Sequence, residues 1–399
     1  MSRFGLPTIR TPKVRPPTAG QHWKIWLTVP VAATMAAFGL VAQAQAQTQT
    51  PAHTQVPAHT QARANPSARG AGAPATTSQQ PLQNLVGHAP AAGKRWLVRD
   101  SVAYAQASKS SQWVRTPSGL SYTGCVFHVP DHATVRSGVI HFPSGATQQL
   151  KQCQYPTLTY PAAASTSVTA PSTAKSSTPA AIKPAGGPCY FGSGGPWWAA
   201  SCYGSQPTWV TSMTQEQAVP SNPAQDGALI FLWGGLESAN GDTLLQDVLT
   251  WGANGSIVTN PNIWYVTPWY LWGNNSVIGS SIHVGVSDTI VQSLTASNCT
   301  SAGACTWVLK AADTTNGLST SYTVGSDATF TLIIGSNMEV PRADGCVETP
   351  ASGHAAFRDL ALKGNTGTIT PSFGTTITDS QCSISMTQSA TGADILWKP

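Results

Sequence analysis

The chain has 399 residues, and only 9% of them are charged, against about 25% in an ordinary soluble domain. Five of its 21 basic residues precede residue 46, so the remainder carries 16 basic and 16 acidic residues and has no basic excess that would indicate nucleic-acid binding. Its eight cysteines lack the Cys/His spacing of a zinc site, and we expect no metal and no cofactor.

Residues 1–46 have the three parts of a secretory signal peptide. A basic stretch is followed by an apolar run from Ile25 to Val41, and then by the small residues Ala42 to Ala46. The apolar run is too short and too rich in alanine to span a membrane, and no later run is long enough. We therefore expect a mature protein without a membrane span, secreted to the extracellular space or the periplasm.

Composition divides the remaining chain into four parts. Residues 47–85 are Gln, Thr, Ala and Pro and predict a disordered spacer, and residues 161–187 are an Ala/Ser/Thr/Pro linker. Between them, residues 86–160 predict a small, basic, β-rich domain that resembles a pro-segment. Its short predicted strands are Trp96–Val98, Trp113–Val114, Cys125–Val129 and Gly138–Phe142.

Residues 188–399 predict one large antiparallel β-sandwich. Turn residues recur about every ten positions, and no stretch has a convincing helical period. Ala228–Trp233 is a continuous apolar strand. Alternation in Ile282–Ile290 predicts a second strand with His283 on the face opposite Val286.

The charges of the two halves are opposite. The part before residue 188 holds 11 Lys and Arg and two acids after the signal peptide, while the rest holds five Lys and Arg and 14 acids. We therefore expect the basic front part to dock on the acidic domain. It is either a pro-segment released when Asp and Glu protonate, or a permanent spacer or surface-attachment domain.

Eight cysteines in an exported chain predict disulfides. Their order favours pairing between neighbours, although sequence alone leaves the connectivity open. The favoured pairs are Cys125–Cys153, Cys189–Cys202, Cys299–Cys305 and Cys346–Cys382.

The sandwich segment resembles the glutamic peptidases called eqolisins. The likeness covers most of residues 205–390, with order and spacing closer than identity. It is carried by Phe231–Glu237, Leu244–Gly252, Trp264–Trp272 and Asn337–Glu339. A nearer likeness is to a set of secreted bacterial and fungal proteins without a settled activity. They share Thr116–Leu120, Cys125–Pro130, Gly235–Glu237 and Leu245–Leu249. The resemblance implies an all-β, concanavalin-like antiparallel sandwich of the jelly-roll type.

The resemblance also implies a catalytic pair, Glu339 and Gln246. Glu339 would act as general base and then general acid, and Gln246 would donate its amide hydrogens to the oxyanion. Where the family has an aromatic residue after the glutamate, this chain has Val340 and Pro341, so the strand is expected to end or bulge there. Glu237 is the fallback carboxylate.

The aromatic residues leave the function open. We expect Trp233, Trp264, Trp269 and Trp272, together with Glu237, to bind substrate, although about half of the aromatic residues are expected to fill the core instead. The leading hypothesis is a secreted, acid-acting glutamic endopeptidase, expected to be monomeric, with a polypeptide substrate. The alternative is a non-catalytic sandwich that binds glycan or protein through its tryptophans.

Overall fold

The computed structural model describes residues 91, 93–117, 119–159, 197–205, 208–255, 262–378 and 382–399. All of them belong to one compact unit that spans residues 74–399. The predicted signal peptide, spacer and linker lie outside the described residues.

The described strands form three sheets. The four-stranded sheet contains β1 (Leu97–Val98), β2 (Trp113–Thr116), β3 (Gly119–Tyr122) and β8 (Thr157–Leu158). The nine-stranded sheet contains β4 (Val126–His128), β9 (Trp197–Gly204), β11 (Leu229–Ser238), β12 (Thr243–Trp251), β13 (Trp264–Trp272), β14 (Asn275–Ile278), β15 (Ile282–Val284), β19 (Phe330–Arg342) and β22 (Gly374–Thr378). The eleven-stranded sheet contains β5 (Thr134–Arg136), β6 (Val139–His141), β7 (Thr147–Gln149), β10 (Val210–Ala218), β16 (Thr289–Ser297), β17 (Cys305–Asp313), β18 (Leu318–Ser326), β20 (His354–Gly364), β21 (Gly367–Thr368), β23 (Ser385–Gln388) and β24 (Ala393–Leu396).

The two large sheets pack face to face and form the predicted all-β sandwich. Leu236 and Leu245 of the nine-stranded sheet share one buried cluster with Leu294 and Leu309 of the eleven-stranded sheet. A second shared cluster lies further along the same two layers. Because burying apolar surface is the main favourable term in folding, these two clusters hold the layers together.

The central strands of the nine-stranded sheet are buried on both faces. Successive side chains of a strand point to opposite faces. In β11, Ile230 and Leu232 point toward the eleven-stranded sheet, and Phe231 and Trp233 point away from it into a separate cluster. We call the side that carries Phe231 and Trp233 the outer face, and the opposite side the inner face.

The front segment, residues 93–159, contributes strands to both layers. β4 pairs in parallel with β14 in the nine-stranded sheet, and β5 pairs in parallel with β18 in the eleven-stranded sheet. Sequence analysis missed its helix, α1 (Ser101–Ala107), the only α-helix in the described ranges. Asp100 caps it by accepting from two backbone N–H groups. Seven residues are too few for a periodic signal.

The strand predicted over Ile282–Ile290 is wrong in its middle. β15 ends at Val284, and a turn precedes β16. The Asp288 carboxylate accepts from the Gly285 backbone N–H at 2.6 Å, and Ser287 has a φ of 70°. Val286 is therefore 46% exposed at the turn and does not share a strand face with Ile290.

Three disulfides connect the predicted neighbours, Cys125–Cys153, Cys299–Cys305 and Cys346–Cys382. Cys202 is also disulfide-bonded, and its predicted partner, Cys189, lies outside the described residues. Disulfides are typical of proteins in an oxidising compartment, so they favour an extracellular location. Within the described ranges, no helix has the length and hydropathy needed to cross a bilayer.

Candidate active site

Gln246 lies on the outer face at the middle of the sheet. It is the fourth residue of β12 and pairs with Gly235 of β11 on one side and Trp269 of β13 on the other. Its side chain is completely buried, and neither its Nε2 nor its Oε1 has a hydrogen-bond partner among the described residues. A buried amide that makes no bond destabilises a fold by about 1–3 kcal/mol, so it calls for a functional explanation.

Glu339 lies on the same outer face. It pairs with Phe231 of β11, while its neighbours Met338 and Val340 belong to the inner-face cluster. Its carboxylate is completely buried and accepts a hydrogen bond of 2.9 Å from the Asn337 side-chain amide. The two apolar residues that flank Glu339 therefore fix the face of the sheet on which its side chain lies.

The strand bulges beyond Glu339, as its proline predicts. Phe231 pairs with Glu339 but Leu229 pairs with Arg342, so β19 has one extra residue there. Arg342 donates from its guanidinium Nε to the Gly227 carbonyl at 2.7 Å. The bulge therefore ends the regular register at the place where a proline removes a ladder donor.

The two candidate catalytic residues lie diagonally across β11. They are two strands apart and four β11 residues apart, from Phe231 to Gly235, which corresponds to about 16 Å between Cα atoms in a flat sheet. Trp233 lies in the row between them and is completely buried. The two side chains are therefore separated along the outer face by the Trp233 indole.

Glu237 lies at one end of the outer face, opposite Leu244. Its Oε1 is 3.2 Å from the Arg95 guanidinium of the front segment, and both side chains are almost fully buried. Burial raises the pKa of Glu237 to about 7, with Arg95 acting in the opposite direction and Asp242 adding to the rise. This carboxyl is thus held by the front segment.

Asp247 is a buried carboxyl that sequence analysis missed. It follows Gln246 in β12 and therefore points to the inner face, where its Oδ2 accepts from the Ser293 backbone N–H at 3.1 Å. Burial raises its pKa to about 7, with the Ser293 hydrogen bond opposing that rise. The sequence does contain a signal for this residue, because Asp247 is the single acid in the largely apolar strand Leu244–Trp251.

The structure separates the predicted substrate-binding tryptophans. Trp233 and Trp269 share the outer face with Gln246 and are completely buried. Trp264 packs against Trp251 in the inner-face cluster and does not join the site. Trp272 lines a separate cavity of about 270 Å³.

The site is closed in this conformation. Gln246 and Glu339 have no exposed surface. The front segment meets one end of the outer face through Arg95 at Glu237, and Val126 of β4 packs against the buried cluster of that face. Substrate therefore reaches the pair only if the surrounding residues move.

The described ranges contain no group of three or more His, Cys, Asp or Glu residues arranged to hold a metal. His354 and Asp394 form a surface pair at 2.7 Å, joined by Arg358. Arg358 and His354 hold the pKa of Asp394 below its usual value. This cluster lies on the eleven-stranded sheet, away from the candidate pair.

Comparison with solved structures finds glutamic peptidases. The chain is 17% identical to scytalido-glutamic peptidase with a peptide-based transition-state analogue, over 51% of this chain and 98% of that one, with a TM-score of 0.35. SCP-B, a member of the eqolisin family in complex with the tripeptide Ala-Ile-His, is 15% identical over the same shares, also at 0.35. No protein-family profile and no curated protein matches the chain. The functional argument therefore rests on the site itself.

Proposed function

We propose that the chain is a glutamic-type endopeptidase in which Glu339 and Gln246 are the catalytic residues. The observation that carries the proposal is their common outer face, where the buried Glu339 carboxylate and the buried Gln246 carboxamide lie on either side of β11. The Gln246 amide has no hydrogen-bond partner among the described residues. Buried polar groups without partners persist where a ligand completes them.

The chemistry follows from the two residue types. Glu339 takes a proton from water, the hydroxide attacks the peptide carbonyl carbon, and the oxyanion accepts hydrogen bonds from Gln246 Nε2. Glu339 then transfers the proton to the leaving amine as the C–N bond breaks. A carboxamide does not titrate, so Gln246 can donate to the oxyanion in acid as well as at neutral pH.

We propose that the front segment is the intramolecular partner that closes the site. Two basic residues meet acids of the sandwich, Arg95 at Glu237 and Lys94 at Asp242, the latter at 2.7 Å. The Arg95 backbone N–H also donates to Asp242. These contacts hold the front segment on the sandwich at the Glu237 end of the outer face.

We propose that the protein is secreted. The signal-like residues 1–46 and the disulfides both favour export. Expression with and without residues 1–46 in a secreting host tests this. We expect the protein expressed with residues 1–46 to appear in the medium without them, and the protein expressed without them to stay in the cell.

The decisive experiment is hydrolysis of casein or denatured haemoglobin from pH 2 to 7 with pepstatin present. Glu339→Gln should abolish activity, and Gln246→Ala should lower it by about 10²–10³-fold, while near-ultraviolet circular dichroism stays unchanged. Glu348→Gln is the matched control, because this second buried glutamate binds the Asp344 backbone N–H. Activity that survives in Glu339→Gln would refute the proposal.

A second candidate function, binding of glycan, is favoured by the cavity at Trp272. Asn240, Asp242 and Asp327 line this cavity beside the indole, and an aromatic ring with polar neighbours suits a sugar. Retention on polysaccharide columns without hydrolysis, lost in Trp272→Ala, would support it.

A further inference from the structure

Asn337 and Glu339 occupy alternate positions in β19 and therefore share the outer face. Both are completely buried. Met338, between them, belongs to the inner-face cluster. This packing prevents the strand from turning over, so the relative position of the two polar side chains is fixed by the core.

The Asn337 side chain is oriented by Glu339. Its Nδ2 donates to Glu339 Oε1 at 2.9 Å. The nitrogen of the amide, and not its oxygen, faces the carboxyl group, which is the orientation that an ionised carboxylate requires because it can only accept hydrogen bonds. A donor to a carboxylate favours the charged form, and burial favours the neutral form.

The oxygen of the Asn337 amide makes no corresponding contact. Its Oδ1 has no hydrogen-bond partner among the described residues. Its cross-strand neighbours are Trp233 on β11 and the small Ala200 on β9. The bond to Glu339 is therefore the interaction that orients this amide.

We propose that Asn337 is a positioning residue that keeps Glu339 ionised and in one rotamer, ready to take a proton from water. This inference rests on the proposed function of Glu339. Asn337 acts through Glu339 and is not assigned contact with the reacting atoms.

Other charged groups act on the same face from neighbouring elements. Glu237 lies at the end of β11 with Arg95 and Asp242. Arg342 lies three residues beyond Glu339, near Arg115, Glu348 and Asp344. A substitution of Asn337 leaves all of these groups in place, so a change in the titration of Glu339 reports the loss of the amide donor.

The test measures the titration of Glu339 directly. The chain contains four glutamates, Glu216, Glu237, Glu339 and Glu348. Carboxyl-¹³C-labelled glutamate therefore produces few signals, and Glu339→Gln assigns one of them. The variants are Asn337→Leu, which keeps the volume, and Asn337→Ser, which keeps a short donor. Ser336→Ala is the control, because its hydroxyl contacts Ser201 and Gln388 and not Glu339.

We expect Asn337→Leu to raise the pKa of Glu339 by about one unit or more, with a smaller rise in Asn337→Ser and none in Ser336→Ala. The acid limb of the pH profile of kcat/KM should move by the same amount. An unmoved Glu339 signal in Asn337→Leu overturns the inference, and Asn337→Ala decides in the same way if the leucine variant does not fold. Loss of the proposed function shows separately, as activity that persists in Glu339→Gln.

Discussion

The inner and outer faces of the nine-stranded sheet use buried polar residues differently, and the neighbours Gln246 and Asp247 show how. Asp247, on the inner face, accepts from Ser293, and its backbone carbonyl accepts from Gln292 at 2.8 Å. It therefore cross-links the two layers. Gln246, one residue earlier, points outward and makes no side-chain hydrogen bond within the described part of the chain. Asp247 thus helps to hold the two layers together, whereas Gln246 contributes no side-chain hydrogen bond to the fold within the described residues.

The largest expected effect is on catalysis by the outer face, where a substitution should lower activity without lowering stability. Gln246→Leu should lower kcat by about 10²–10³-fold, because an oxyanion donor is lost. The same change should leave the free energy of unfolding unchanged or raise it by about 1 kcal/mol, because an unbonded amide is removed. Assay and urea unfolding of one preparation measure both. A strong loss of stability would contradict the division between the faces.

The next effect concerns pH and the two carboxyls whose pKa burial raises to about 7, Glu237 and Asp247. A raised folded-state pKa contributes stability that is complete below the unfolded-state value, near 4, and is lost as the pH rises through about 7. We expect the free energy of unfolding to increase from pH 8 to pH 5, by about 3 kcal/mol for each group. Asp247→Asn and Glu237→Gln should each flatten the curve, and thermal unfolding at several pH values measures it.

A third prediction tests whether the front segment covers the outer face. The double variant Arg95→Ala with Glu237→Gln removes the buried ion pair without leaving one charge alone. We expect the full chain to hydrolyse casein several-fold faster. Lys109→Ala is the control, because it removes an exposed charge of the front segment away from Glu237. Equal rates in the double variant and the parent would argue against a covering role.

The causes of the pKa shift at Glu237 bear on how the front segment could be released from the outer face. Arg95 favours the ionised form of Glu237, so protonation removes the charge that Arg95 contacts, whereas burial favours the protonated form. Because these two causes oppose each other, we expect acid release to depend also on a group that gains charge as the pH falls.

His128, in β4, is such a group and should have the smallest effect. Desolvation lowers its pKa, and it lines a cavity of about 460 Å³ with His283. A lowered histidine pKa contributes stability that is lost as the pH falls below about 6.5. We expect His128→Gln to reduce the acid sensitivity of the β4–β14 pairing slightly, since the ring is exposed. Hydrogen exchange of the β14 amides at pH 7 and pH 5 measures it.

Much of the fold could be predicted from local patterns. Alternating and continuous apolar runs predicted the all-β sandwich, and the spacing of the cysteines favoured the three disulfides that the structure describes. The proline after Glu339 predicted the bulge. Helix α1 and the turn at Ser287 escaped, since each depends on one capping or turn-forming side chain and not on a period.

The sequence by itself determined which side chains of one strand share a face, because that alternation is local and has a period of two. The opposite directions of the neighbours Gln246 and Asp247 follow from that alternation. Only the tertiary structure decided that Gln246 and Glu339 share the outer face, that Trp264 lies between the layers, and that Arg95 reaches Glu237. The pairing register of strands almost a hundred residues apart is set by the packing of both layers at once, and no local pattern contains that information.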